Sequence, residues 1–430
     1  MSEITYVFGA GASIKSMPIV NNFVKRFETY LNFLADINEE FRSENRNFIT
    51  QIKSHLSFDT YFKKLFHQNQ NELIQKNKNL LLSFFIFEHL IPLNYYYSYA
   101  DPNEISDYII DKEYHVDPRY DALVASLLKP LKGKCEFYGK VNFITWNYDL
   151  NLLFAIKNFL ASIKSLQEFI NTFNCSENTF VFSEQLTLVH LNGFIRHKSL
   201  EFSEDVTIEF MYAVFKELIE THNKPEQVEK NIQTINFAWE NMQPNNLSDV
   251  PKFIIDSITA VKNSHSVILT GYSLPLYNRY FDEQIFSYQN IRDKYIYVRD
   301  PRSAQITETF YSDFGISRPE FRGKGDPIVY ESDSCDSFFV PSNIYKASHV
   351  IKLTIDSNLI NAKQKIDSVN KLEELHKLDK IQIVGAERLF EEMKNYKNIK
   401  AQIKVGNYQN IGEPFLIGHS RIGACLHIFS

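Results

Sequence analysis

The amino-acid sequence predicts an α/β protein built on a Rossmann-like, mainly parallel sheet. Three observations carry the prediction. Short apolar runs rich in β-branched and aromatic residues alternate with stretches of helical periodicity. The first run ends in the glycine turn FGAGAS at residues 8–13, and polar residues of chemical use recur just after the runs. Strands that alternate with helices need crossover connections, and such crossovers build parallel sheets.

ITYVF (4–8) reads as a strand and GAGAS as a turn. MPIVNNFVKRFETYLNFL (17–34) has apolar residues at helical spacing, so the chain opens as strand, turn, helix. From residue 22 to 130 apolar positions recur at three and four, with breaks at Asp101-Pro102 and Asp117-Pro118. That pattern predicts a helical module inserted into the larger fold. Its most apolar part, LLLSFFIFEHLIPLNYYYSY (80–99), is interrupted by Glu88, His89 and Pro92, short of the ~20 residues of a membrane span. It is expected to be a buried helix ending near Pro92.

KVNFITWNYDL (140–150) is a second strand feeding a helix-like stretch, NLLFAIKNFLASI. QLTLVHLNGFI (185–195) is a third, ending at Gly193, and a polar, charged stretch follows over 198–250. DSITAVKNSHSVILTGYSLP (256–275) reads as helix then strand, as does FDEQIFSYQNIRDKYIYVRDP (281–301). From about 346 the chain reads as a small α/β appendage: strand HVIKLTID, helix KIDSVNKLEELHKL, strand DKIQIVGA and helix RLFEEMKNY. The domains expected are therefore 1–345 and 346–430.

A chain of 430 residues that is 44% hydrophobic can bury a large core. A formal charge of -6 supplies no global basic field, so direct nucleic-acid binding is not expected. Cys135, Cys175, Cys335 and Cys425 stand alone, without a CxxC pair or a histidine at metal spacing, which argues against a structural zinc and a disulfide framework. No charged segment followed by an apolar one opens the chain, and a cytoplasmic protein without membrane association is expected. Asp59, Asp111 and Glu113 have no paired spacing and read as helix caps and solvated faces. His55, His67, His89 and His115 read as structural or exposed.

Chemistry concentrates at the strand ends. A glycine turn after a strand offers backbone N–H groups to a pyrophosphate, with the helix dipole behind them. TWNYD places Asn147 and Asp149 beyond the second strand, VHLNG places His190 beside a glycine, and LTGYS places Gly271 and Ser273 after another strand. In an open parallel sheet these ends line one crevice, although each motif taken singly also suits a cap, a core histidine or an ordinary turn.

As a set, the motifs resemble the sirtuin family, specifically the sirtuin-like NAD-hydrolysing domains of bacterial antiphage defence. FGAGAS resembles the family's glycine-rich NAD loop. TWNYD is similar to its TQNID-type motif, with Trp146 where glutamine is usual, and the histidine of VHLNG matches the HG histidine with Leu191 and Asn192 interposed. TGYS is similar to the GTS-type loop, and IYVRDP places Asp300 where the family often holds an Asn. The chain departs from deacylating sirtuins by lacking the four-cysteine zinc module and, after Pro18, the Asp and Arg of their loop.

The resemblance implies NAD as substrate, cleaved to ADP-ribose and nicotinamide. Gly9, Ala10, Gly11, Ala12 and Ser13 would hold the pyrophosphate, Asn147 the ribose and attacking water, and Asp149 the carboxamide. His190 would take the proton, while Gly271, Ser273 and Asp300 would hold the adenosine half. Cyclisation is open at the same carbon, as is a non-catalytic sensor of NAD or ADP-ribose, or a deacylase or ADP-ribosyltransferase. A homo-oligomer is expected, and by resemblance a HerA-type ATPase, an Argonaute-like protein or a phage protein as activator. In the tail, KLTIDSNLI with Asp356, Glu391 and Glu392 resembles the opening of a PIN-type nuclease. A docking or oligomerisation domain with solvated acids is the other reading, and no metal ligands are assigned.

Overall fold

The computed structural model describes residues 3–341 except 56, 101–111, 115, 130–135, 161–173, 177, 196–197, 202–205, 223–234, 236, 242–249, 322, 324 and 335. Beyond these it describes the backbone of five further strands. The chain forms two compact units, Glu3–Phe339, and Val340–Ser430 with Met1–Ser2.

The larger unit is an α/β fold. Its sheet has eight strands: β1 (Glu3–Phe8), β2 (Lys140–Thr145), β3 (Asn174–Ser176), β4 (Thr179–Ser183), β5 (Leu186–His190), β6 (Ser266–Thr270), β7 (Tyr295–Arg299) and β8 (Ile328–Ser332), in the order β3-β4-β5-β2-β1-β6-β7-β8. Every pairing from β5 to β8 is parallel, and only β3 and β4 run antiparallel at one edge. Numbered among themselves, the six parallel strands lie in the order 3-2-1-4-5-6, the doubly wound Rossmann arrangement. β1 and β6 are buried almost throughout, as parallel strands covered on both faces must be.

Register sets the strand ends level. Phe8 pairs with Thr145 and Thr270, Thr145 with His190, and Thr270 with Arg299. Whatever follows each of these residues therefore emerges at one edge of the sheet.

Helices α1 (Phe23–Ala35), α2 (Glu39–Lys53), α3 (Phe58–His67), α4 (Asn71–Leu90), α5 (Leu93–Tyr99) and α6 (Pro118–Leu127) fill the insertion between β1 and β2. α4 is buried from Asn77 to Leu90 and ends just before Pro92, as its composition requires. Asp117 caps α6, its carboxylate accepting from the Arg119 N–H, with Pro118 in the first turn.

Two departures from the sequence reading have local causes. The glycine turn does not open an α-helix. It leads into a four-residue 3-10 turn, Ala10–Ser13, and α1 starts only at Phe23. The Met17 N–H closes one helical turn on the Ser13 carbonyl at 2.8 Å, but Pro18 has no donor to continue the ladder and disfavours helix at Met17, so the turn goes no further. The stretch read as polar contains α8 (Ile208–His222), which follows α7 (Asn151–Leu160) in chain order and packs on α4 through Phe215, 6.2 Å from Phe87. Its buried Met211, Val214, Phe215, Leu218 and Ile219 follow helical spacing that the surrounding charges masked.

In the smaller unit β9 (Val350–Asp356) pairs antiparallel with β11 (Lys400–Gly406), and β13 (Cys425–Ile428) lies between β10 (Ile381–Ile383) and β12 (Phe415–Leu416), also antiparallel. Asp356 ends β9. The expected helices, with Glu391 and Glu392, fall outside the described residues.

The β1 and β6 turns meet backbone to backbone. Gly9 N–H donates to the Thr270 carbonyl at 3.1 Å and Gly11 N–H to the Gly271 carbonyl at 3.0 Å. Gly271 has φ +59°, and a Cβ there would stand 2.2 Å from the Ala12 nitrogen. Gly315 has a similar φ of +67° with nothing near its missing Cβ. Gly315→Ala is therefore expected to cost about 1 kcal/mol in denaturant unfolding, the left-handed penalty alone, and Gly271→Ala upwards of about 3 kcal/mol.

Candidate functional site

A cavity of about 440 Å³ opens at the level edge of the sheet, between the β1 and β6 turns where the strand order reverses. In doubly wound sheets that point is where ligands enter. Each neighbouring strand end contributes to the wall: Gly9, Ala10 and Gly11 after β1, Asn147 and Asp149 after β2, Asn192 after β5, Gly271 and Ser273 after β6, and Asp300 after β7.

Asn147 is held by its own surroundings. Its N–H donates to Thr145 Oγ1 at 3.0 Å, and its side-chain Nδ2 donates to Ser13 Oγ at 3.2 Å, which lies 2.9 Å from the Tyr120 hydroxyl. Asp149 Oδ1 accepts from both the backbone and the side chain of Asn151 at 3.0 and 2.9 Å, an Asx turn that starts α7. Burial raises its pKa against the hydrogen bonds that favour the carboxylate. Asp300 likewise accepts from the Arg302 N–H at 2.8 Å, and Arg302 lines the cavity beside it.

Three expected residues lie off the wall. Ala12 and Ser13 are buried behind the turn, with Ser13 reaching the site through its hydrogen bonds to Asn147 and Asp149. His190 ends β5, 1% exposed, with Phe180 and Phe194 against its ring at 6.0 and 5.1 Å. Its Nδ1 lies 3.4 Å from the Asn147 carbonyl, and its Nε2 has no partner among the described residues. Burial lowers its pKa to about 4, so at neutral pH it is an uncharged imidazole behind Asn147 rather than a base facing the cavity.

The pyrophosphate cradle differs from expectation as well. The N–H groups of Gly9, Gly11 and Ala12 are already spent, on Thr270, Gly271 and Gly9 carbonyls respectively. Fixing one turn against the other uses the Gly9 and Gly11 donors, and closing the turn itself uses that of Ala12, so the glycines serve the closeness of two backbones. Two residues of the wall do carry buried donors without partners among the described residues, the Thr270 hydroxyl and the Trp146 indole N–H. Orphaned donors of that kind mark a place where a polar ligand group replaces water.

Sequence reading also missed part of the site. Phe58, Asp59 and Phe85 from the helical module, with Tyr148 and Tyr277, form an aromatic stretch of the same wall. Arg119 lines it too, donating to the Ala12 carbonyl at 2.8 Å and pairing with Asp117. Asp59, read as a helix cap or a solvated acid, does sit in the first turn of α3 but is 7% exposed. It accepts from the Tyr148 hydroxyl at 3.2 Å, and burial raises its pKa to about 7. Spacing could not reveal it, because its partner lies 89 residues away. His89, by contrast, is structural as read, its Nε2 accepting the Leu150 N–H at 3.1 Å.

No protein-family model and no curated protein matches the chain. Among the described residues no group of three or more His, Cys, Asp or Glu side chains converges to hold a metal, and no helix is long and apolar enough to cross a membrane.

Asp59 has a consequence for stability. Its proton is held in the folded state up to about pH 7 but lost from the unfolded chain near 3.8. Folding is thus favoured by this group in acid, and the benefit drains away as pH rises from about 4 through 7, on the order of 4 kcal/mol in all. Unfolding free energies of Asp59→Asn and wild type at pH 5 and pH 8 should show the variant gaining on the wild type at the higher pH.

Proposed function

We propose that the chain binds NAD in this cavity and hydrolyses the bond between nicotinamide and ribose, yielding ADP-ribose and nicotinamide. The observation that carries the reading is the cavity at the switch point, where Asn147, Asp149, Gly271 and Asp300 from three separate strand ends share one wall. Cleavage develops positive charge on the ribose, and buried carboxylates with aromatic faces suit an oxocarbenium-like species. Asn147, fixed through Ser13, orients the ribose and the attacking water. Asp149 takes the carboxamide, Thr270 and Trp146 offer donors to the phosphates, and Asp300 holds the adenosine half. His190 acts here through the Asn147 carbonyl, as a positioning residue.

The resemblance to antiphage NAD-hydrolysing domains gives this reaction a purpose: depletion of cellular NAD on infection. An enzyme of that kind must be restrained, so a homo-oligomer gated by a HerA-type ATPase, an Argonaute-like protein or a phage protein accompanies the proposal, in the cytoplasm. Deacylation is the weaker reading, since the zinc cysteines and the Asp and Arg after Pro18 are missing. A non-catalytic NAD or ADP-ribose sensor draws on one observation, the withdrawal of His190 from the wall.

Nicotinamide release from NAD, followed alongside NAD binding by calorimetry, decides among them. Wild type is expected to release nicotinamide, and Asn147→Ala to lose about 10²-fold or more while still binding. Binding without release by the wild type would favour the sensor.

A further inference from the structure

We propose that Asp59 is the general base of the hydrolysis, taking the proton of the attacking water, with Tyr148 positioning its carboxyl. The inference rests on the NAD-hydrolase reading and fills a place which His190, lying behind Asn147, leaves open.

The geometry is specific. Asp59 and Tyr148 both line the cavity that holds Asn147, and Tyr148 stands between Asn147 and Asp149 in the chain. The Tyr148 hydroxyl donates to one carboxyl oxygen of Asp59, Oδ1, at 3.2 Å. Around the pair, Phe58 and Phe85 lie 5.9 and 5.5 Å from the Tyr148 ring, and Phe237 lies 6.1 Å away. An apolar enclosure of this kind withholds water from a carboxyl and makes it a stronger base than a solvated one.

The charged and titratable surroundings are few. Tyr148 and Tyr277 are both pushed up by burial and stay protonated. Glu240, whose charge reaches Tyr148, is paired with Lys78. Lys63, on the same helix as Asp59, donates to the Tyr277 carbonyl at 3.2 Å, and Asp149 lines the same cavity. No cation forms an ion pair with Asp59 among the described residues.

The step balances. The water oxygen bonds to the ribose C1′ as the C1′–nitrogen bond breaks, and that bond's electron pair neutralises the pyridinium nitrogen. The water proton passes to Asp59, which later releases it to solvent. A base with pKa about 7 is half ionised near neutrality, where general-base catalysis is most effective.

The test is the pH profile of kcat/KM for nicotinamide release by the full chain, between about pH 5 and 9, with NAD binding measured in parallel. Wild type should rise with pH through an inflection near 7. Asp59→Asn should lose about 10²- to 10⁴-fold along with the inflection and keep NAD binding. Tyr148→Phe, which removes a hydrogen bond favouring the carboxylate, should move the inflection to higher pH, an effect that a structural role would not produce. An active wild type with Asp59→Asn unchanged, or with Tyr148→Phe leaving the inflection in place, overturns the role of Asp59 alone. A wild type that binds NAD and releases no nicotinamide overturns the reaction and this role together.

Discussion

The site depends on the contact between two peptide turns. Where β1 and β6 diverge, Gly9, Gly11 and Gly271 let the turns touch with no side chain between them. The hydrogen bonds from Gly9 and Gly11 to the β6 side close that contact, and Arg119 secures it from behind through the Ala12 carbonyl. Because strand ends are level, fixing these two turns places the residues after β2, β5 and β7 around one opening. A wall of side chains then surrounds a base made largely of backbone.

The helical module is tied to that turn by a buried ionic cluster. Arg26 of α1 donates to the Ser16 carbonyl at 2.6 Å and pairs with Glu88 of α4, which also receives Lys112. All three side chains are fully buried, and Lys112 is lowered by burial to about 8. Such clusters contribute little net stability but penalise any arrangement that leaves one charge alone. Here the cluster fixes where α4 lies relative to the segment after the glycine turn. Phe85 and, by packing of α3 on α4, Phe58 and Asp59 take their places from that relation.

Legibility varied with the range of the interaction involved. β1, β2, β5, β6 and β7 were readable because each is a dense apolar run ending in a marked turn, and α4 because its run stops at Pro92. β8 was not, since it is a half-exposed edge strand without such density, and β3 and β4 are short pieces of an antiparallel edge. The site was readable where residues follow strands, as Asn147, Asp149, Gly271 and Asp300 do. It failed where a side chain's direction mattered: His190 has the expected place in the chain but is enclosed by Phe180 and Phe194.

Local pattern alone determined the alternation of strand and helix, the inserted module and the glycine turns, because period, turn chemistry and proline act over a few residues. Tertiary structure decided the strand order that sets the crevice between β1 and β6, the use of the glycine N–H groups within the fold, and the seclusion of His190. It also brought Asp59 to Tyr148. Those outcomes depend on contacts between residues far apart in the chain, and burial, which sets both solvent access and proton affinity, exists only once the chain has closed around them.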